Sequence, residues 1–121
     1  MKKILIVEDH ADIRRLIRMT LEFDDYEILE AENGDTGLAM AAEHQPDLVL
    51  LDVMMPGTLN GLDVCRALKA SARPPRVLLL TARGRSEDLD AGMLAGAEAY
   101  LVKPFSPLQL IENINEQLEN A

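Results

Sequence analysis

Five short apolar runs, each followed by a longer segment of helical period, constrain most strongly how this chain can fold. The runs are ILIV (4–7), YEILEA (26–31), LVLL (48–51), VLLL (77–80) and AYLV (99–102). Four of them are almost continuously apolar, as parallel strands covered on both faces are, whereas the second contains Glu27 and Glu30. Because parallel strands need crossover helices, the pattern predicts an α/β fold. We expect a doubly wound, five-stranded parallel sheet with the second strand at an edge.

The segments between the runs place apolar residues on one face of a helix. The predicted stripes are Ile13, Leu16, Ile17 and Leu21 in the first helix, Leu62, Cys65 and Leu68 in the third, and Leu108, Ile111, Ile114 and Leu118 in the last. Ser106 is the predicted N-cap of the last helix, with Pro107 at its first position and Gln109 completing a capping box. We expect each stripe to face the sheet.

Length and charge bound the class of protein. At 121 residues the chain is long enough for one core, so residues 1–121 are expected to form a single domain. Its 21 acidic against 12 basic residues give a net charge of −9, which repels phosphate backbones and argues against direct nucleic-acid binding. The apolar runs are too short to span a membrane, and the N-terminus does not have the pattern of a signal peptide. These features predict a cytoplasmic protein, and they fit a single cysteine, Cys65, placed in the core.

Polar residues stand where the predicted strands end. Glu8 and Asp9 follow the first strand, Asp52 the third, Thr81 the fourth and Lys103 the fifth. Each alone is more often a cap or turn residue. In an open parallel sheet, however, the carboxyl ends of the strands share one crevice, so these side chains are expected to meet there.

The three carboxylates predict a divalent metal site. Acids crowded together repel one another, and a cation relieves that repulsion. Mg²⁺ binds through one or two carboxylates plus water and phosphate oxygens, which suits Asp9 and Asp52 as direct ligands and Glu8 through water. His10 is adjacent, but a single histidine without a partner ligand is more often a surface residue.

The remaining groups favour phosphoryl transfer. Lys103 supplies an ammonium and Thr81 a hydroxyl for phosphoryl oxygens. Asp52 is then left as the nucleophile, which would form an aspartyl phosphate.

Four blocks of the sequence, ILIVEDH, DLVLLDVMMPG, VLLLTA and AYLVKPF, resemble the signatures of bacterial two-component response regulator receiver domains. The resemblance covers essentially the whole chain and implies a flavodoxin-like (βα)5 sandwich with strand order 2-1-3-4-5. It also implies that Asp52 takes a phosphoryl group from the phosphohistidine of a sensor histidine kinase or phosphotransfer protein. Such a domain is not an enzyme with a separate substrate, since it catalyses only its own phosphorylation and dephosphorylation.

The resemblance implies further groups at the site. Glu8 and Asp9 match the acidic pair of the family, and the carbonyl of Met54 would complete the protein ligands of Mg²⁺. The amide of Ala82 would bind phosphoryl oxygens beside Thr81 and Lys103. The bond from Lys103 to Pro104 is similar to one that is cis in the family.

A conformational switch is also implied. In relatives, the residue at the position of Thr81 moves toward the phosphoryl group and an aromatic at the position of Tyr100 turns inward. The surface of the fourth helix, fifth strand and fifth helix then changes, and a dimer through this surface is one expected outcome. The alternative is that Tyr100 is a static core residue with its hydroxyl at the surface.

Two partners follow from the resemblance. Relatives dock their kinase through the first helix and the loop after the fifth strand, which makes Ile13, Leu16, Pro104 and Phe105 candidate contacts. Equally, Ile13 and Leu16 could be core residues beside a solvated arginine face. The second partner is a downstream output domain or target protein.

The segment MMPGTLNG (54–61) is one residue longer than is usual in the family, which leaves the shape of that loop open. Two enzyme classes on related sheets fit less well. A flavodoxin-like protein would need a Ser/Thr/Gly-rich phosphate loop where this chain has EDHAD, and a haloacid-dehalogenase-like protein would need an acid at Met54. The remaining alternative is a receiver-like interaction domain that does not use phosphorylation.

Overall fold

The computed structural model describes residues 1–53, 60–81 and 93–119, and its strands form one parallel sheet. The strands are β1 (Lys2–Val7), β2 (Tyr26–Ala31), β3 (Leu48–Asp52), β4 (Arg76–Thr81) and β5 (Ala99–Val102). Their order is β2-β1-β3-β4-β5. The order confirms the doubly wound fold and the edge position of β2. This strand carries two glutamates, which would be unfavourable in a strand buried on both faces.

Helices connect the strands and cover both faces of the sheet. Those described are α1 (Ala11–Leu21), α2 (Gly34–His44), α3 (Gly61–Lys69) and the C-terminal helix (Pro107–Glu119). The fourth predicted helix lies largely in 82–92, outside the described residues, and its described end contains Met93 and Leu94. Within the described ranges, no helix has the length and apolar character needed to cross a bilayer.

Side-chain caps fix the starts of α3 and the C-terminal helix. Asn60 Oδ1 accepts a bond from the Asp63 amide at 3.0 Å, and the Asp63 carboxylate accepts one from the Asn60 amide at 3.3 Å. The box predicted at Ser106 is confirmed, because Ser106 Oγ accepts from the Gln109 amide at 3.1 Å and Gln109 Oε1 accepts from the Ser106 amide at 2.9 Å. Both caps satisfy amides that the first turn leaves without a helical partner.

The sheet separates two apolar clusters, which explains why its inner strands read as unbroken apolar runs. Along β1, Leu5 and Val7 belong to the cluster under α2 and α3, whereas Ile4 and Ile6 belong to the cluster under α1 and the C-terminal helix. Successive side chains of a strand point to opposite faces, so a strand covered twice needs apolar residues at every position. Cys65 lies in the first cluster, as predicted.

Two of the predicted helix stripes need correction. In the C-terminal helix the buried positions are Leu110, Ile114 and Gln117, while Leu108 is 64% exposed. Leu108 precedes Leu110 by two residues, which is about 200° around a helix of 3.6 residues per turn, so the two cannot share a face. In α1, Ile17 and Leu21 are buried as predicted, but Leu16 is 46% exposed.

Candidate functional site

The carboxyl ends of the strands bring the predicted polar residues to one edge of the sheet. Asp52 is the last residue of β3, Thr81 is the last residue of β4, and Lys103 directly follows β5. Backbone bonds tie these ends together. The Val53 amide donates to the Leu80 carbonyl at 2.9 Å, and the Lys103 amide donates to the Thr81 carbonyl at 2.7 Å.

The ammonium of Lys103 lies between two buried carboxylates. Its Nζ donates to Glu8 Oε1 at 2.7 Å and is 3.3 Å from Asp52 Oδ1. Glu8 and Asp52 are both almost completely buried. Burying charged groups costs free energy, which is recovered only when opposite charges lie close together. Here the single Lys103 ammonium lies next to both buried acids.

The pKa values of this pair reflect competing effects. Burial alone would raise the pKa of Glu8, but its polar contacts with Asp52 and the Lys103 ammonium lower the pKa to about 2. For Lys103, burial acts to lower the pKa, and the bond to Glu8 with the charge of Asp52 outweighs it, so the pKa is raised. Both groups are therefore charged at neutral pH.

Backbone positions around the acids are fixed by contacts that the sequence did not predict. Arg14 Nη1 donates to the carbonyl of Glu8 at 2.8 Å, and its Nε is 3.3 Å from Glu30 Oε1 on β2. Arg14 is thus not part of a freely solvated arginine face. It holds the end of β1 against the edge strand.

Gly61 allows α3 to begin directly against the phosphoacceptor candidate. Its amide donates to the Val53 carbonyl at 3.0 Å. A Cβ at this position would lie 2.3 Å from the carbonyl oxygen of Asp52 and 2.5 Å from the Cα of Val53. Only glycine permits this approach of two backbones.

His10 is exposed at the surface, as predicted, and its ring lies beside two of the acids. Its Nδ1 is 3.3 Å from Glu8 Oε2 and 3.2 Å from Asp9 Oδ1. The backbone amide of His10 also donates to Glu8 Oε2 at 3.3 Å. Its position directly after the acidic pair was the available signal, but sequence alone does not give the direction of the ring.

The four residues Glu8, Asp9, His10 and Asp52 fit a metal ion. One ligand atom from each lies within 4.8 Å of the others. Asp9 Oδ1 is buried and, within the described part of the chain, accepts no hydrogen bond, as expected of an atom suited to a cation. The carboxylate donors match the preference of Mg²⁺ for oxygen. Met54, whose carbonyl was predicted as a further ligand, lies outside the described residues.

Of the other residues predicted for the site, the structure describes some and not others. Ala82 and most of the loop 54–61 lie outside the described residues. Tyr100 is 40% exposed on β5, two residues before Val102, which pairs with Thr81. Residues two apart on a strand share a face, so Tyr100 lies on the face toward which Val102 also points.

The predicted partner residues lie together. Ile13, Leu16, Pro104 and Phe105, with Lys103, line one open cleft between α1 and the segment after β5. The bond from Lys103 to Pro104 is cis, as the resemblance implied. Thus the cleft and the acidic site share Lys103.

Comparisons with known proteins agree on one family. The family model described as the response regulator receiver domain matches residues 4–115. The transcriptional regulatory protein ResD of Bacillus subtilis is 46% identical over 119 residues, which cover 98% of this chain and 49% of ResD. The phosphate regulon transcriptional regulatory protein PhoB of Pseudomonas aeruginosa is 41% identical over 122 residues, covering 99% of this chain and 53% of PhoB. The chain therefore spans about half the length of these curated relatives.

Solved structures show the same fold. The chemotaxis response regulator CheY4 of Vibrio cholerae superposes with a TM-score of 0.91 at 31% identity, covering 97% of this chain and 98% of CheY4. A CheY-like receiver domain protein of Methanospirillum hungatei gives a TM-score of 0.92 at 30% identity, covering 99% of this chain and 95% of that protein.

Proposed function

This chain belongs to the response regulator receiver domain family, and from that premise we propose that residues 1–121 form a cytoplasmic phosphoacceptor domain of a two-component phosphorelay. Asp52 accepts a phosphoryl group from the phosphohistidine of a histidine kinase or phosphotransfer protein. The observation that carries the proposal is the Lys103 ammonium, 3.3 Å from Asp52 Oδ1, beside the three carboxylates of the site.

Asp52 is the nucleophile of the proposed transfer. A carboxylate oxygen of Asp52 forms a bond to phosphorus, the bond from phosphorus to the donor imidazole nitrogen breaks, and its electron pair stays with the imidazole. Glu8, Asp9, Asp52 and the carbonyl of Met54 would hold Mg²⁺, which neutralises charge on the phosphoryl oxygens when it is bound.

Three groups bind the transferred phosphoryl. Lys103 balances its charge, while the Thr81 hydroxyl and the Ala82 amide donate hydrogen bonds to its oxygens. Because Lys103 and Thr81 are joined through a backbone bond of 2.7 Å, their positions at the strand ends are coupled.

The proposed output is a change of the surface formed by the fourth helix, β5 and the C-terminal helix. Thr81 moves toward the phosphoryl group and Tyr100 turns inward. The 40% exposure of Tyr100 supports this over a static core residue, since a side chain already buried would have no inward position left. We expect phosphorylation to favour a dimer through this surface and to signal to an output domain or target protein.

For the upstream partner, the cleft lined by Ile13, Leu16, Pro104 and Phe105 is proposed as the kinase contact. The exposure of Leu16 supports this over a core role. A partner seated on the cleft would bring its phosphohistidine next to Lys103, which belongs to both cleft and site.

The test is phosphorylation with acetyl phosphate or a phosphorylated kinase in Mg²⁺, followed by intact mass. Wild type is expected to gain one phosphoryl group, and Asp52→Asn none. Asp25→Asn is the matched control, because Asp25 is exposed and far along the chain from the site. An unmodified wild type, or equal gain on Asp52→Asn, contradicts the proposal and favours an interaction domain that does not use phosphorylation.

A further inference from the structure

The strand that carries Tyr100 is held by the sheet on one side only. β5 has four residues, Ala99–Val102, and among the described strands it pairs with β4 alone. At its end near the site, the Lys103 amide donates to the Thr81 carbonyl at 2.7 Å. An edge strand this short depends on what is attached to its other end, which lies away from the site.

Glu98 attaches that other end to β4 through both its backbone and its side chain. The Glu98 amide donates to the Val77 carbonyl at 3.1 Å, and the Val77 amide donates to Glu98 Oε1 at 3.2 Å. Val77 belongs to the same strand that ends in Thr81. Glu98 therefore joins the two strands of the proposed switch at the end opposite to the site.

The side chain of Lys69, the last residue of α3, holds the Glu98 carboxylate in place. Its Nζ lies 2.6 Å from Glu98 Oε1 and 3.0 Å from Oε2, and it also donates to the Pro75 carbonyl at 2.9 Å. The two side chains are only 23% and 19% exposed. A charged pair withdrawn from water is costly to separate, because each partner would be left buried and unpaired.

The segment 95–98, which connects the fourth helix to β5, packs against the same lysine. Gly96 has a left-handed φ of 100°, and a Cβ at this position would lie 3.0 Å from Lys69 Cγ. Ala95 is buried, and its carbonyl accepts a bond from Cys65 Sγ at 3.5 Å. The end of α3 thus fixes the segment from which β5 begins.

We propose that Lys69 is a positioning residue of the switch, which acts on Tyr100 through Glu98. With the backbone of β5 fixed, the space that Thr81 vacates is filled by a turn of the Tyr100 ring. With that backbone loose, a shift of the whole strand fills the space and the ring stays outside. The inference rests on the switch of the proposed function. The alternative is that the ion pair only stabilises the fold.

The two roles are separated by ¹⁹F NMR of the full chain labelled with fluorotyrosine, before and after phosphorylation with acetyl phosphate in Mg²⁺. Intact mass measures the phosphoryl group on each variant. The chain has two tyrosines, and Tyr26, on β2 at the other edge of the sheet, serves as the internal reference. Wild type and Lys69→Met are expected to gain the phosphoryl group equally. The shift of the Tyr100 resonance should fall in Lys69→Met to less than about half of its value in wild type.

Three further variants test whether the charge pair is responsible. Lys69→Arg should restore the shift, because arginine keeps the charge and the methylene groups that pack on Gly96. Glu98→Gln, which removes the charge of the other partner, should reproduce the loss. Arg66→Gln is the matched control, because Arg66 forms an exposed pair with Asp63 on the same helix. It should leave the shift unchanged.

Equal shifts of Tyr100 in wild type and Lys69→Met would overturn the assignment and leave the ion pair with a role in stability alone. A wild type that gains the phosphoryl group without any shift of Tyr100 would contradict the switch, and this inference with it. Absence of the phosphoryl group from wild type would contradict the proposed function itself. The three failures are therefore distinguishable.

Discussion

Glu8 is an acid of the site whose charge depends on its neighbours. It is fully buried, and a buried carboxylate stays ionised only where hydrogen bonds and opposite charge compensate the lost water. The bond of 2.7 Å from Lys103 provides the main opposite charge. The charge state of Glu8 should therefore contribute to the pH dependence of folding.

We predict that ionised Glu8 stabilises the metal-free fold at neutral pH and that this stabilisation is lost at strongly acidic pH. Its pKa falls from 4.5 to about 2 on folding, so its contribution is complete above pH 4.5 and is lost as the pH falls toward 2. The difference in pKa corresponds to about 3 kcal/mol in the free energy of unfolding. Urea unfolding at several pH values should show a steeper acid loss for wild type than for Glu8→Gln. Parallel curves would contradict this.

At the scale of elements, the first residue of α3, Gly61, packs directly against the backbone of Asp52. We predict that Gly61→Ala destabilises the fold by about 2 kcal/mol or more, because the new Cβ meets backbone atoms that cannot move aside without displacing Asp52. The same variant should accept a phosphoryl group more slowly. Thermal unfolding and the rate of the mass gain measure the two effects.

Gly37→Ala is the matched control for that substitution. Its Cβ would meet the methyl groups of Val7 at 2.9 and 3.0 Å, which are side-chain atoms, and alanine is the better helix former. We expect a change within about 1 kcal/mol, since the two effects oppose each other. A loss as large as that of Gly61→Ala would show that the backbone contact is not special.

The cap of the C-terminal helix gives a separate prediction. Ser106→Ala removes the oxygen that accepts from the Gln109 amide, so it should cost about 1 kcal/mol in the free energy of unfolding. Ser106→Asp, which keeps an acceptor, should lose much less. Denaturant unfolding of both variants provides the measurement, and an equal loss would mean that the cap does not contribute.

For the whole molecule, the net charge of −9 and the acid cluster lead us to expect that Mg²⁺ is a stabilising ligand. We predict that added Mg²⁺ raises the Tm, because an ion that binds only the folded state stabilises that state by mass action. The stabilisation is about 2.7 kcal/mol when the Mg²⁺ concentration is a hundred times Kd, and the rise should saturate. Asp9→Asn should remove most of this rise. KCl at matched ionic strength serves as the control, and an equal rise there would indicate general screening.

Most of the fold, and the residues that meet at the site, could be predicted because both depend on periodicity and topology. Apolar runs identify strands covered twice, and parallel strands necessarily bring Asp52, Thr81 and Lys103 to one edge. Side-chain directions could not be predicted in this way. The turn of His10 toward the acids and the exposure of Leu108 depend on where each helix begins and how it is rotated against the sheet.

The pairing of Asp52 with Leu80 and of Thr81 with Val102 also limits how such a site can vary. The backbones of β4 and β5 lie about one and about two strand spacings, of about 4.8 Å each, from the backbone of β3, which ends in Asp52, and no side-chain substitution alters this spacing. A single-residue deletion within β4, by contrast, would turn Thr81 to the opposite face while leaving every proposed site residue present in the sequence. The proposed chemistry thus depends on the spacing of residues along each strand as much as on their identity.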